Sequence, residues 1–183
     1  MLKDDPTPLV RRSVANNLND LGRVHPALLA RTCGAWLEGA SVERRALVEH
    51  ALRSAVKRGD ASALRLLGYG KKAAVTIEGV HIVPARVAIG GSVAVRFVVS
   101  STSRSKQELL VDLGVHFVKA GGKAARKVFK VKRVVLSAGE KVALTKSISL
   151  AVHTTRKPQP GRHGVDVIVN GETTRVGHFT VTA

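Results

Sequence analysis

The period of the hydrophobic residues changes at the segment Gly68-Tyr69-Gly70-Lys71-Lys72. Before this segment, apolar residues recur about every 3.6 residues, as on one side of an α-helix; after it they alternate with polar residues, as along a β-strand. Because one type of element cannot satisfy both periods, we predict a helical domain at residues 1–70 and an all-β domain at residues 71–183. The segment itself is a linker, since no strand precedes it and no Gly-Lys-Ser/Thr motif follows it.

The helical domain carries start and stop signals for four helices. Prolines and capping side chains mark the helix starts, at Pro8, Pro26, Ser41 and Asp60. Glycines mark the helix ends, at Gly22, Gly39 and Gly59. Helices joined by such short turns are typical of a solenoid of HEAT-like repeats. Because these stacks need about three repeats for stability, we expect the chain to be the C-terminal portion of a longer protein, or to pack against a partner.

The remaining residues predict about seven short strands. They lie near residues 74–83, 92–101, 108–118, 125–135, 141–150, 163–170 and 173–182. Asn170-Gly171 is a two-residue hairpin signal between the last two strands. Alternating strands at this spacing are typical of an immunoglobulin-like sandwich, in which His163 takes the place of a corner tyrosine. The predicted fold class is therefore α plus all-β, with helical HEAT-like repeats followed by an immunoglobulin-like β-sandwich.

The first predicted helix, in the stretch from Pro8 to Pro26, has an unusual polar side. Its apolar side is formed by Val10, Val14, Ala15, Leu18 and Leu21. Its opposite side carries Arg12, Asn16 and Asn19, flanked by Ser13 and Asp20. Asn and Asp are poor to middling helix formers, so their presence on this side needs another reason. Contact with phosphate oxygens, sugar or base edges would provide one. A plain solvated side with an accidental asparagine cluster explains the pattern equally well.

The composition points to a polyanionic partner. With 30 Lys and Arg against 13 acidic residues, the net charge is +17, which favours nucleic acid over an anionic membrane surface. Residues 71–183 hold most of the excess, 19 basic residues against 6 acidic ones. No apolar run approaches the roughly 18 residues of a membrane span, and the N-terminus has no secretory signal. The single cysteine fits a reducing compartment, so we expect a cytoplasmic protein without a membrane partner.

The densest basic run extends from Lys119 to Arg133 and contains no acidic residue. Its seven cations are Lys119, Lys123, Arg126, Lys127, Lys130, Lys132 and Arg133. Strand alternation predicts that Lys130 and Lys132 share one face, with Phe129 and Val131 on the other. Cations can protect an edge strand from aggregation, but seven without a counter-charge exceed that need and favour phosphate binding.

No metal or cofactor site is predicted. The histidines and Cys33 lack the spacing of metal ligands, and no nucleophile triad can be assembled from the sequence. Cys33 and Trp36 lie at core spacing on the second helix, so both are expected in the helical core.

Residues 10–20 read Val-Arg-Arg-Ser-Val-Ala-Asn-Asn-Leu-Asn-Asp and stand between Asp5-Pro6 and His25-Pro26. This arrangement resembles the last repeats of bacterial DNA alkylation-repair proteins built on HEAT-like repeats, and so does the stretch of residues 52–70. The branch it looks most like is that of the AlkC-type 3-methyladenine DNA glycosylases, some of which append an immunoglobulin-like domain. The resemblance covers the helical domain in motif and the all-β domain in architecture.

The resemblance implies that duplex DNA lies in the concave face of a solenoid and that the glycosidic bond of N-alkylated purines is cleaved. In that family carboxylates stabilise the cationic sugar that develops, which implies a catalytic role for Asp20 with Asn16 beside it. It also implies that Arg11 and Arg12 lie near DNA phosphate. Asn16 and Asn19 are expected to contact DNA as part of the polar side of the same helix. The basic run is expected to add phosphate contacts from the all-β domain.

The earlier repeats, which carry most of the catalytic groups in that family, have no counterpart in this sequence. We therefore expect the chain to bind DNA but to catalyse weakly or not at all alone, with N-terminal helical repeats as its partner. Bacterial, nucleoid-associated localisation follows from the same resemblance. A non-enzymatic basic adaptor that binds nucleic acid or an acidic protein also fits the residues.

Overall fold

A computed structural model describes residues 1–152 and 157–183 and divides the chain into two compact units. We call Met1–Lys71 the helical unit and Lys72–Ala183 the β unit. The α-helices lie in the first unit and the strands in the second, which confirms the predicted fold class of α plus all-β. Over the described ranges, no helix is both long enough and apolar enough to cross a membrane.

The helical unit contains a short 3₁₀ helix and four α-helices. These are the 3₁₀ helix Leu2–Asp4, α1 (Pro8–Val24), α2 (Pro26–Leu37), α3 (Val42–Arg58) and α4 (Ala61–Leu66). Two predicted caps form as expected: Ser41 Oγ accepts a hydrogen bond from Arg44 N at 3.2 Å, and Asp60 Oδ1 accepts one from Ala63 N at 2.8 Å. Gly59 ends α3 in the left-handed conformation that glycine favours, with φ of 79°.

The helices enclose a core of small and aliphatic side chains. Its buried members are Ala15, Leu18, Leu29, Cys33, Leu47, Val48, Ala51, Leu52, Ala55 and Ala63. Gly22 lets α1 approach α2 closely, since a Cβ atom there would lie 2.3 Å from Leu29 Cδ2. Cys33 is fully buried, as predicted, and this burial raises the pKa of its thiol to about 11.

The buried side of α1 differs from the predicted one. Its buried residues are Ala15, Leu18, Asn19 and Gly22. Three residues of the predicted apolar side are only partly buried: Val10, Val14 and Leu21. Small residues allow the closest approach between helices, so α1 turns the side of Ala15 and Gly22 toward its neighbours.

This rotation carries Asn19 into the interior. The expectation that Asn19 shares an exposed polar side with Arg12 and Asn16 is therefore wrong, because 3% of Asn19 is accessible to solvent. Asn19 Oδ1 accepts a hydrogen bond from Ser54 N of α3 at 3.2 Å. Asn19 thus joins two helices, and a DNA contact for it is no longer expected.

The β unit has eight strands among its described residues. They are β1 (Val75–Val83), β2 (Arg86–Ala88), β3 (Ser92–Ser101), β4 (Gln107–Val118), β5 (Ala124–Leu136), β6 (Lys141–Ser149), β7 (Gly161–Val169) and β8 (Glu172–Thr182). One sheet has the order β1-β3-β6 and the other the order β2-β8-β7-β4-β5. Seven of these strands were expected from the sequence. β2 has no predicted counterpart, because three residues are too few to show alternation; it pairs parallel to β8.

The two sheets pack on each other through valine-rich inner faces. On β4 and β7 the core residues alternate along the strand: Leu109, Val111, Leu113 and Val115, then Val165, Val167 and Val169. The hairpin between β7 and β8 turns at Asn170 and Gly171, with φ of 48° and 85°. Positive φ at both positions is what a type I′ turn requires, so this predicted turn is confirmed.

A bulge interrupts the pairing between β4 and the edge strand β5. The register places Lys130 opposite Asp112 and Lys132 opposite Val111, so β5 has one residue more than β4 over this step. Residues directly opposite share a face, and Val111 belongs to the core whereas Asp112 does not. The expectation that Lys130 and Lys132 share one face is therefore wrong, since the extra residue shifts the alternation by one.

His163 fills a buried position at the start of β7. Its ring stacks on Phe179 with centroids 5.3 Å apart and meets Phe117 edge-on at 5.7 Å. Its Nδ1 accepts a hydrogen bond from Val118 N at 3.4 Å, and its Nε2 lies 3.0 Å from Gln159 O. These contacts fit the neutral ring with its proton on Nε2, and burial lowers the pKa of His163 although Gln159 opposes the shift.

Candidate nucleic-acid interface

A polar cluster joins α1 to α3 on the surface of the helical unit. Asn16 Oδ1 accepts a hydrogen bond from Arg53 Nη2 at 3.0 Å and lies 3.0 Å from His50 Nε2. Arg12, one turn before Asn16, is exposed. The positive charge of Arg12 is one of the causes that lower the pKa of His50. We call these four residues the helical cluster.

The contacts of the helical cluster fix the orientation of Asn16. Arg53 is a donor without an acceptor, so the atom of Asn16 that faces it is the carbonyl oxygen. His50 Nε2 contacts the same oxygen and therefore carries the proton of the imidazole. Because Oδ1 already contacts both residues, the Nδ2 amino group of Asn16 is the part that can donate a hydrogen bond to a ligand. The ligand atom would then be an acceptor, such as a phosphate oxygen or a base edge.

The charge of the helical cluster comes from its arginines. Burial, and then repulsion by Arg53 and Arg12, lowers the pKa of His50. The imidazole is therefore neutral at neutral pH, while both guanidinium groups stay charged. Two fixed cations beside an oriented amide favour an anionic ligand over a cationic one.

A groove of about 480 Å³ runs beside the helical cluster. It is lined by Pro8, Arg11, Arg12, Ala15, Val42, Glu43, Ala46, Leu47 and His50. Arg11 is half-buried, and its Nη1 donates to Asp5 O at 2.5 Å and to Pro6 O at 2.8 Å. Of the two arginines predicted to meet phosphate, Arg11 thus holds the segment before α1, and Arg12 is the exposed one.

The predicted catalytic carboxylate, Asp20, lies on the exposed surface of α1. Its Oδ1 lies 3.7 Å from Arg23 Nε, and 68% of its side chain is exposed. Asn19 Nδ2 also donates to this oxygen, at 3.3 Å. A carboxylate in water stabilises a developing cation far less than a desolvated one does. The residues around Asp20 in this chain therefore leave it without the desolvation that such catalysis uses.

The β unit presents a second basic surface. All seven cations of the basic run are exposed: Lys119, Lys123, Arg126, Lys127, Lys130, Lys132 and Arg133. The first two lie in the turn after β4 and the other five lie on β5. Lys127 Nζ lies 5.3 Å from the ring centroid of Phe129, which packs against the core together with Val131. Because β5 is an edge strand, edge protection and phosphate binding can be served by different cations of one run.

Reasoning from the sequence did not identify His50 and Arg53 as partners of Asn16. One signal was present, since their spacing of three residues places both on one side of α3. The pairing of α1 with α3, which brings together residues more than 30 positions apart, had no signal. In the part of the chain that the structure describes, no group of three His, Cys, Asp or Glu residues could hold a metal ion.

Known proteins similar to this chain cover both units. Residues 76–183 match the family described as uncharacterised protein YhaZ, C-terminal Ig-like domain. The chain is 34% identical over 185 residues to the uncharacterized protein YhaZ of Bacillus subtilis (strain 168), a match that covers 93% of this chain and 51% of that protein.

Solved structures extend the likeness to the whole chain. Pseudomonas fluorescens alkylpurine DNA glycosylase AlkC, bound to DNA containing an abasic site analog, matches with a TM-score of 0.93 and 39% identity. That match covers 100% of this chain and 50% of AlkC. The β-glucosidase EmGH1 from Erythrobacter marinus, with a TM-score of 0.51 and 13% identity over 60% of this chain and 16% of its own, shows the fold alone.

The chain spans about half the length of its Bacillus and Pseudomonas relatives. The resemblance to the AlkC-type proteins is confirmed by the likeness to AlkC over the full chain. The sandwich is immunoglobulin-like, as predicted, because the family that matches it carries that domain. With more than half of its residues matched, the chain belongs to the family described as uncharacterised protein YhaZ, C-terminal Ig-like domain.

Proposed function

We propose that this chain is the DNA-binding C-terminal portion of a DNA alkylation-repair glycosylase that acts on N-alkylated purines in duplex DNA. The observation that carries the proposal is the likeness of the entire chain, at a TM-score of 0.93, to an alkylpurine DNA glycosylase bound to DNA. A net charge of +17 supports it, because an excess of this size attracts the phosphates of nucleic acid.

Two surfaces would make the DNA contacts. On the helical unit, Arg12 would contact phosphate and the Nδ2 group of Asn16 would donate to an acceptor of the DNA. On the β unit, the exposed cations of the basic run would contact phosphates without reading the sequence. Asp20 remains the candidate catalytic carboxylate, and it would need further residues to remove it from water.

Salt-dependent binding tests the DNA-binding part of the proposal. We expect the chain to bind duplex DNA with an affinity that falls steeply with salt, with a log–log slope of about −0.9 for each phosphate neutralised. Fluorescence anisotropy with a labelled duplex between low and moderate salt would measure this slope. A nearly flat response would refute DNA binding and favour a basic adaptor that binds an acidic protein.

Base release tests the catalytic part separately. The chain and AlkC of Pseudomonas fluorescens, as a positive control, would be incubated with methylated duplex DNA, and the released bases would be quantified. We expect binding without appreciable release by this chain alone. Release at the rate of AlkC would show that the residues present suffice for catalysis, with Asp20→Asn as the first variant to examine.

A further inference from the structure

The five-stranded sheet has an outer face, turned away from the core, on which glycines and charged residues are arranged in rows. One row across the sheet contains Arg126, His116, Gly164 and His178, from β5, β4, β7 and β8. The next row contains Val128, Gly114, Asp166 and Arg175 on the same four strands. Residues paired across strands share a face, and the neighbouring residues Val115 and Val165 belong to the core. Because side chains alternate along a strand, both rows lie on the outer face.

A buried carboxylate lies at the centre of these rows. The side chain of Asp166 is 5% exposed, and its Oδ2 lies 2.5 Å from His116 Nε2. Its other oxygen accepts a hydrogen bond from Arg175 Nη1 at 3.4 Å. Burying a carboxylate is costly unless it is paired and hydrogen-bonded. Asp166 therefore holds both of its partners, Arg175 and His116, in place on the sheet.

Gly164 provides the space in which Arg175 lies. A Cβ atom at Gly164 would come within 1.8 Å of Arg175 Nη2. The guanidinium therefore lies over the backbone of Gly164, whose neighbours in its row are His116 and His178. Arg162 Nη2, from the next outer position of β7, lies 3.1 Å from His178 Nδ1.

The exposed groups of this outer face are mainly cationic. Arg126, Lys130, Arg162 and Arg175 are exposed, whereas the carboxylates of Asp112 and Asp166 are buried beneath them. Arg126 Nη1 donates to Thr173 Oγ1 at 3.4 Å, so its side chain extends across the face toward β8. Glu108 is an exposed carboxylate of the same face, at the far end of β4 from the Arg126 row.

We infer that this outer face is a phosphate-binding surface for the backbone of nucleic acid, centred on Arg175 and Arg126. Asp166 is the positioning residue that orients Arg175, and Gly164 is the position that leaves room for it. The inference rests on the proposed function, duplex DNA binding, and names the part of the β unit that carries it. A guanidinium held in a fixed orientation suits a phosphodiester, because its N–H groups meet two oxygens in one plane.

The decisive variants change either the position or the shape of the cation at Arg175 without removing its charge. Gly164→Ala keeps every charge and displaces only the flexible end of Arg175. Arg175→Lys keeps the charge and loses the planar fork. We expect each to weaken binding to a labelled duplex by about tenfold, in the range of a missing charge-assisted hydrogen bond. Arg175→Lys should also reduce the salt slope less than Arg175→Ala, which removes the cation entirely.

Asp166→Asn separates positioning from total charge by its sign. If affinity follows net charge alone, removing this anion makes the protein more positive and tightens binding. If Asp166 positions Arg175, the same variant weakens binding. A melting curve for each variant shows whether it is folded; should Asp166→Asn unfold, Gly164→Ala and Arg175→Lys decide the question.

The control pair is Lys127→Ala with Lys132→Ala, on the other face of β5. These two changes remove two charges from the same strand and should weaken binding less than Arg126→Ala with Arg175→Ala. Wild-type affinity in both Gly164→Ala and Arg175→Lys would overturn the inference while leaving DNA binding intact. A flat salt response of the unchanged protein would instead contradict the proposed function itself.

Discussion

The two units use their polar side chains differently. In the helical unit, several polar groups predicted to face DNA make contacts within the fold: Asn19 joins α1 to α3, and Arg11 holds the segment before α1. In the β unit, all seven cations of the basic run stay exposed. A helix can rotate about its axis to bury a polar side chain that finds a partner. A strand within a sheet cannot rotate in this way, and its alternation changes only where a bulge adds a residue, as in β5.

The largest expected effect tests whether the β unit dominates DNA binding. Replacing Arg126, Lys130 and Arg133 with alanine should reduce the salt slope by about 0.9 for each phosphate that the protein no longer neutralises. The matched control replaces Arg31, Arg45 and Arg65, three exposed arginines of the helical unit, with alanine. Both variants remove the same charge, so equal decreases of affinity in anisotropy titrations would show that net charge, not the β unit, determines binding.

The pair Arg11 and Arg12 should separate structure from binding within one helix. Arg12→Ala should cost about 1.5–3 kcal/mol of DNA affinity, the range for hydrogen bonds to charged groups, with little change in stability. Arg11→Ala should lower the free energy of unfolding instead, because it removes the donors to Asp5 O and Pro6 O. Urea titrations and anisotropy on both variants would measure this; the reverse assignment would contradict the exposed position of Arg12.

Asn19 and Asn16 provide the same contrast for two amides. Asn19→Ala should destabilise the protein by about 0.5–1.5 kcal/mol, because it removes the hydrogen bond from Ser54 N that joins α1 to α3. Binding by the folded variant should be unchanged. Asn16→Ala should change stability little, because the gain in helix propensity offsets the loss of two solvent-exposed contacts with α3. It should weaken DNA binding. Weaker binding by Asn19→Ala at a temperature where it is folded would return Asn19 to the DNA surface.

The smallest expected effect concerns pH. Burial lowers the pKa of His163 below its ordinary value of 6.5, so the unfolded state binds more protons just below that pH. Stability from His163 is therefore complete above about pH 6.5 and declines as the pH falls toward the folded pKa. Melting temperatures between pH 7.5 and 5 would record the decline, and His163→Gln should flatten it. His50→Gln measures the share of His50 in the same decline, because the pKa of His50 is lowered too.

Signals confined to neighbouring residues predicted the fold well. Proline and capping residues gave the helix starts, as the hydrogen bonds of Ser41 and Asp60 show, and Asn170-Gly171 gave its hairpin. These signals work because a cap or a two-residue turn is completed within a few residues.

Features that depend on distant pairing could not be predicted. The burial of Asn19 depends on Ser54, 35 residues away, and the opposite placement of Lys130 and Lys132 depends on a bulge in the pairing with β4. The cluster of His116, Asp166 and Arg175 lies on three strands, and no spacing in the sequence indicates it. Candidate sites of this kind are found once the register of the sheet is known.

The short parallel pairing of β2 with β8 has a consequence for the order of folding. Arg86 to Ala88 pair with Thr180 to Thr182, and Val87 and Val181 both belong to the core. Closing a loop of more than 90 residues carries an entropic cost before any contact compensates for it, so this pairing should form late. During synthesis on the ribosome, residues 180–182 emerge long after the edge strand β2. Until they emerge, Val87 lacks its pairing partner Val181.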